Sequence, residues 1–260
     1  MSLTYSRYLR LEELLALQQP LSDGPEHDEL LFITIHQVYE LWFKQVLHEL
    51  RRLQRCLEAN DPPSALATFK RILTILKILV AQVDILETMT PVSFLSFRSR
   101  LEAASGFQSL QFREVEFVLG ARKPGMLRHY QEGGDDVERL RAALAGRSLY
   151  DSFLTFLAAQ GYELPREVLA RDPSAPPVEH PAVRQTLVRV YRDDPATREV
   201  CERLVDLDEG LQEWRYRHVK MVERTIGRKP GTGGSSGAQY LQSTLFQPLF
   251  PDLWAIRAEL

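Results

Sequence analysis

Residues 29–57 read ELLFITIHQVYELWFKQVLHELRRLQRCL. Leu31, Ile35, Val38, Trp42, Val46, Leu50 and Leu53 recur in steps of three and four, the repeat that lays apolar side chains along one helix face. Pro25 precedes the run, and Glu26, Asp28 and Glu29 stand where a helix N-terminus favours negative charge. A long helix follows from this stretch. Working outward, a second begins after Pro62-Pro63 and carries Leu66, Phe69, Leu73, Leu76, Val80, Val83 and Ile85 until Thr90-Pro91, where proline biases the preceding residue away from helix. A third starts near Pro195 and runs through Leu204, Leu207, Leu211, Trp214, His218 and Val222 to Gly227.

Between these lie shorter helical pieces, 110–119, 135–145 and 149–160, each followed by a glycine. The Pro-rich segment 172–181, DPSAPPVEHP, joins stretches of similar composition and reads as a crossover loop rather than a domain boundary. No alternating strand pattern, βαβ spacing or long-period repeat appears. The fold class is therefore all-α.

The chain has 260 residues, 44% hydrophobic and 26% charged, the balance of an ordinary globular protein with a sizeable core. Its net charge of −3 excludes a protein dominated by sequence-independent attraction to nucleic acid. Cys56 and Cys201 match no paired-cysteine metal or haem-attachment spacing. With no apolar N-terminal region and no stretch long enough to span a membrane, the sequence reads as cytoplasmic and unprocessed.

Several chemistries fail on motif. In the run GRKPGTGGSSG, 227–237, Gly231 and Gly233 are followed by Ser236 where a dinucleotide fingerprint needs its third glycine, and the preceding element is a helix. No Glu stands three residues before any of the six histidines, so the Glu-x-x-His pairs of a di-iron bundle are absent. His48-Glu49 is followed by Leu50, Arg51 and Arg52, not by the second histidine of a zinc protease, and no GxSxG elbow occurs. What remains is two histidines on apolar helical stripes. Phe32, His36 and Phe43 fall within a narrow arc of one helix, and His218 continues the stripe Leu211, Trp214, Val222 of another. A neutral imidazole so placed suits an iron porphyrin as axial ligand. The same placement also suits a core histidine hydrogen-bonded to a neighbour, and periodicity does not choose between them. By the same measure Arg98 reads as a surface residue, and the basic run Arg215, Arg217, Lys220, Arg224, Arg228 and Lys229 as a solvated face.

At these residues the sequence resembles the tryptophan 2,3-dioxygenase family, haem enzymes that open the indole ring of L-tryptophan. The matching segments are YLRLEELLALQQP (8–20), HDELLFITIHQVYELWFK (27–44), ILETMTPVSFLSFR (85–98), SGFQSLQFREVEFVLG (105–120), LYDSFL (149–154) and WRYRHVKMVERTIGRKPGTGGSSG (214–237). They cover nearly the whole chain in order, and the fourth and last contain long and specific motifs. The resemblance implies a helical bundle around a haem pocket, a single haem dioxygenase domain over 1–260, and a homotetramer in which segment 1–20 exchanges with a neighbouring subunit. It implies one haem b per subunit, O2 as co-substrate, and insertion of both oxygen atoms across the indole C2=C3 bond to give N-formyl-L-kynurenine, the first step of tryptophan catabolism.

Carried over by residue, the resemblance makes His218 the haem-iron ligand and His36 the catalytic histidine beside the indole N–H. Phe32 becomes a ring packed on the indole, Ile35 and Phe94 further substrate contacts, and Arg98 the residue that grips the substrate carboxylate. Thr232 meets the ammonium and carboxylate ends, Ser105 and Gly106 lie beside the haem, and Tyr5 reaches a neighbouring subunit's site. The chemistry agrees: holding a zwitterion's carboxylate in an apolar pocket needs a charge-assisted, bidentate partner, which guanidinium supplies. The glycines of 227–237 would serve a closing lid rather than a phosphate cradle. Two alternatives are a non-catalytic haem sensor of the same fold and an indole dioxygenase of broader specificity; a haem-free helical interaction protein is a third.

Overall fold

A computed structural model describes residues 2–24, 26–130, 134–232 and 237–260. Its elements are α1 Tyr5–Leu9, α2 Leu11–Leu15, α3 His27–Glu58, α4 Pro62–Leu86, α5 Pro91–Phe97, α6 Leu110–Leu119, α7 Asp135–Ala145, α8 Leu149–Ala159, α9 Arg166–Leu169, α10 Pro181–Asp193, α11 Pro195–Ile226, α12 Ala238–Gln242 and α13 Pro251–Ala255. Short 3-10 turns, Arg98–Leu101 and Gly106–Gln108 among them, fill the connections. No strand occurs among the described residues, as the periodicity requires.

The long helices start on well-made caps. The Asp61 carboxylate accepts from Ser64 N ahead of Pro62-Pro63, and Asp194 does the same from Thr197 N ahead of Pro195. Ser148 and Asp151 form a reciprocal capping box that opens α8. Thr90-Pro91, read from sequence only as a stop, is also a start: the Thr90 hydroxyl accepts from Ser93 N and launches α5. α10 was hidden by its Pro-rich prelude, yet Val183, Leu187 and Val190 hold helical spacing and are all buried.

One core unites the long helices. Leu50, Leu53 and Leu57 of α3 meet Phe69 and Ile72 of α4, Phe153 and Phe156 of α8, and Val200 and Leu204 of α11. Fully burying side chains of this kind stabilises by roughly 1.5–3 kcal/mol each against leaving them in water. Helices α11 and α4 pack closely at Gly210, where an added Cβ would lie 3.2 Å from Leu76 Cδ1. That approach explains a glycine inside a long helix. A smaller cluster, Ile35, Leu86, Met89, Phe94 and Phe97, closes one end of the bundle beside a cavity.

Candidate active site

Helix periodicity alone brings one wall of this cavity together. Phe32, His36, Tyr39, Glu40 and Phe43 project from one face of α3, and Trp214, Arg215, His218, Met221 and Val222 from one face of α11. Phe94 and Arg98 enter from α5 and the turn after it, Ser105 and Gly106 from the next turn, and Thr232 from the glycine-rich loop. Two histidines on different helices thus face one cavity.

His36 Nδ1 lies 2.7 Å from the Phe32 carbonyl oxygen. A carbonyl can only accept, so that nitrogen carries the hydrogen, and the neutral ring leaves Nε2 as an acceptor. Burial lowers the His36 value below that of free imidazole, which keeps the ring neutral. The Phe32 ring packs on it at 4.1 Å between centroids, and Phe94 and Phe97 extend the aromatic floor at 5.7 and 5.6 Å from Phe32.

His218 is pushed down to about 4, first by burial and then by the nearby His36. It is therefore a neutral base at physiological pH, with a lone pair free for a Lewis acid. Its ring stacks on Trp214 at 5.2 Å and 15°.

Arg98 is partly buried, and one of its terminal nitrogens donates to the Pro230 carbonyl at 2.7 Å. Its Nε is buried with no hydrogen-bond partner among the described residues. A buried donor without an acceptor is costly, and a carboxylate entering the cavity would relieve that cost. Thr232 Oγ1 donates to the Ala104 carbonyl at 2.6 Å, tying the glycine-rich loop to the segment that follows Arg98. The Ser105 hydroxyl accepts from Phe107 N at 3.3 Å and opens the turn Gly106–Gln108. Gly233 and Ser236 of the loop lie outside the described residues.

Two of the expected site residues do not line this chain's own cavity, and for Tyr5, expected at a neighbouring subunit's site, that is no departure. Ile35 is one position from His36, about 100° around the helix, and turns into the apolar cluster with Phe94 and Phe97 rather than onto the cavity wall. Tyr5, on α1, is 74% exposed and outside the cavity. The basic run also divides. Arg217 and Arg224 pair with Glu87, and Arg217 with Asp84, but Arg215 is only 4% exposed and its guanidinium donates to Glu116 at 2.8 Å. Solvation does not describe it. Glu116 also pairs with Arg113, and all three line the cavity, forming a polar corner that the sequence reading missed. The only local signal was the Arg113-x-x-Glu116 spacing, since the third member comes from α11.

This residue set fits a flat, largely apolar macrocycle that carries both a metal and acidic groups. His218 offers one neutral imidazole, aromatic and aliphatic side chains line most of the space, and Arg113 Nε is a buried donor with no partner among the described residues. No group of three or more His, Cys, Asp or Glu side chains gathers as a metal site among the described residues. A metal met by a single imidazole must bring its other ligands with it, as haem iron does.

A family model described as tryptophan 2,3-dioxygenase matches residues 1–161 and 177–260. The tryptophan 2,3-dioxygenase of Herpetosiphon aurantiacus is 61% identical over 259 residues, covering 100% of this chain and 99% of that protein. That of Anaeromyxobacter dehalogenans is 61% identical over 264 residues, with 100% and 97% covered. That of Bacillus cereus is 41% identical over 262 residues, with 100% and 93% covered.

Proposed function

This chain belongs to the tryptophan 2,3-dioxygenase family, and on that premise we propose that its cavity binds haem b, O2 and L-tryptophan and yields N-formyl-L-kynurenine. The observation that carries the reading is the meeting of His36 and His218, from separate helices, in a cavity that also holds the Arg98 Nε, which has no partner among the described residues. Haem, when bound, supplies the activation of O2 that no side chain can provide. His218 would hold the iron, and Arg113 would meet the acidic edge of the macrocycle.

The chain's own residues bind and orient the amino acid. Arg98 takes the carboxylate through a charge-assisted bond, and Phe32 and Phe94 pack against the indole. His36 Nε2 accepts the indole N–H, because its other nitrogen is already committed to the Phe32 carbonyl. It acts as a hydrogen-bond acceptor rather than as a base that removes the proton, since an indole N–H is far less acidic than an imidazolium. Thr232 would reach the ammonium and carboxylate ends, and Ser105 and Gly106 would lie beside the haem. Holding the ring against the oxygen in a dry pocket lowers the barrier by positioning and by excluding water.

Among the described residues no helix is long and apolar enough to cross a membrane. The assembly is a homotetramer in the cytoplasm, with Tyr5 and segment 1–20 contributing to a neighbouring subunit's pocket. The deciding experiment reduces haem-loaded protein without oxygen, then adds O2 and L-tryptophan and follows the absorbance of N-formylkynurenine. Catalytic accumulation is expected. A spectral change without product would leave a haem sensor instead, and equal turnover of D-tryptophan or tryptamine would mark a broader indole dioxygenase.

A further inference from the structure

A histidine that holds a metal usually donates its second ring N–H to a carboxylate, a carbonyl or water, and that bond fixes the plane of the ring. No hydrogen bond to the His218 ring is formed by the described residues. What meets its ring is Trp214, one turn earlier on α11, stacked at 5.2 Å and 15°. Trp214 is itself fixed on several sides. Phe112 of α6 lies 4.9 Å away at 47°, Phe43 of α3 meets it edge-on at 6.1 Å and 90°, and Tyr39 of α3 at 6.3 Å and 62°. Tyr39 is anchored in turn by its hydroxyl, which donates to the Leu79 carbonyl of α4 at 2.7 Å.

From this geometry we infer that Trp214 is a positioning residue: its indole face sets the ring plane of the iron-binding imidazole. Parallel aromatic contact restricts rotation about the His218 side-chain bonds, because turning the ring would open a gap against a close-packed neighbour. The inference rests on the reading of His218 as the iron ligand, and its test separates the two.

The test uses the full chain loaded with haem and reduced without oxygen, read by resonance Raman spectroscopy in the iron–imidazole stretching region. Wild type should give one narrow band. Trp214→Phe keeps a flat ring and removes the indole N–H, so it should retain that narrow band. Trp214→Leu removes the stacking face and should broaden or split the band while the helical circular dichroism stays the same. An unchanged band in Trp214→Leu overturns the inference. So does a broadened band in Trp214→Phe, which would move the effect to the N–H, and this second variant decides even if the leucine form does not fold. If wild type lacks the band, or His218→Ala keeps it, the ligand reading itself fails and the inference goes with it.

Discussion

Arg98 is the residue whose environment most directly foretells a ligand. Its Nε is buried and unpaired among the described residues, while a terminal nitrogen is spent on a loop carbonyl. Arg98→Ala should therefore reduce kcat/KM for L-tryptophan by a factor equivalent to about 1.5–3 kcal/mol, the scale of a charged hydrogen bond. The loss for tryptamine, which has no carboxylate, should be smaller, and parallel assays of the two check this. His218 sets a second expectation through its value of about 4. Between pH 4 and its ordinary value near 6.5 the unfolded chain binds a proton there and the folded chain does not. Stability of the haem-free protein is thus fully present above about 6.5 and declines as pH falls toward 4. Urea midpoints at a series of pH values should trace the decline, and His218→Ala should flatten it. At this scale the sequence was legible where a side chain announces itself by helical phase, as His36, Phe32 and His218 do. It was illegible for Arg215, whose partner Glu116 is 99 residues away in sequence, so that nothing local distinguishes a buried ion pair from a solvated face.

Among the elements, the long helices followed from apolar spacing and proline caps, whereas α5 and the turns carrying Arg98 and Ser105 did not. Those segments are too short for a period to show, and side-chain bonds such as Thr90 to Ser93 and Ser105 to Phe107 hold them instead. The loop after α11 is bounded by two glycines in nearly the same backbone state, Gly227 at φ 61° and ψ −127° and Gly237 at φ 62° and ψ −129°. Only glycine adopts that state readily. The two differ in their surroundings: a Cβ on Gly227 meets nothing within 4 Å, while one on Gly237 would stand 2.7 Å from the Lys229 carbonyl oxygen. Gly227→Ala should then carry only backbone strain, on the order of 1–3 kcal/mol. Gly237→Ala should cost more and also raise KM for the amino acid, because the neck holding Thr232 over the cavity must open. Thermal melting together with steady-state kinetics on the pair checks the order, which equal effects would contradict.

The whole molecule exposes 14310 Å², against roughly 12,000 Å² expected of a compact monomer of this size. Part of the excess is the N-terminal arm. Neither α1 nor α2 buries a residue, and Leu3, Tyr5, Tyr8, Leu15 and Leu17 are all exposed. Five-residue helices have no stability of their own in water. If a second copy covers them, removing residues 2–20 should lower the assembly state in light scattering and depress turnover, and an unchanged assembly would remove the arm from that role. Helix α11 spans the remaining distance as one rod of 32 residues. Its Val200 and Leu204 end is embedded in the main core, and its His218 end reaches the cavity. Whatever clasps the far tip therefore braces the centre, so a cell short of iron or porphyrin would hold a less durable polypeptide as well as an idle one.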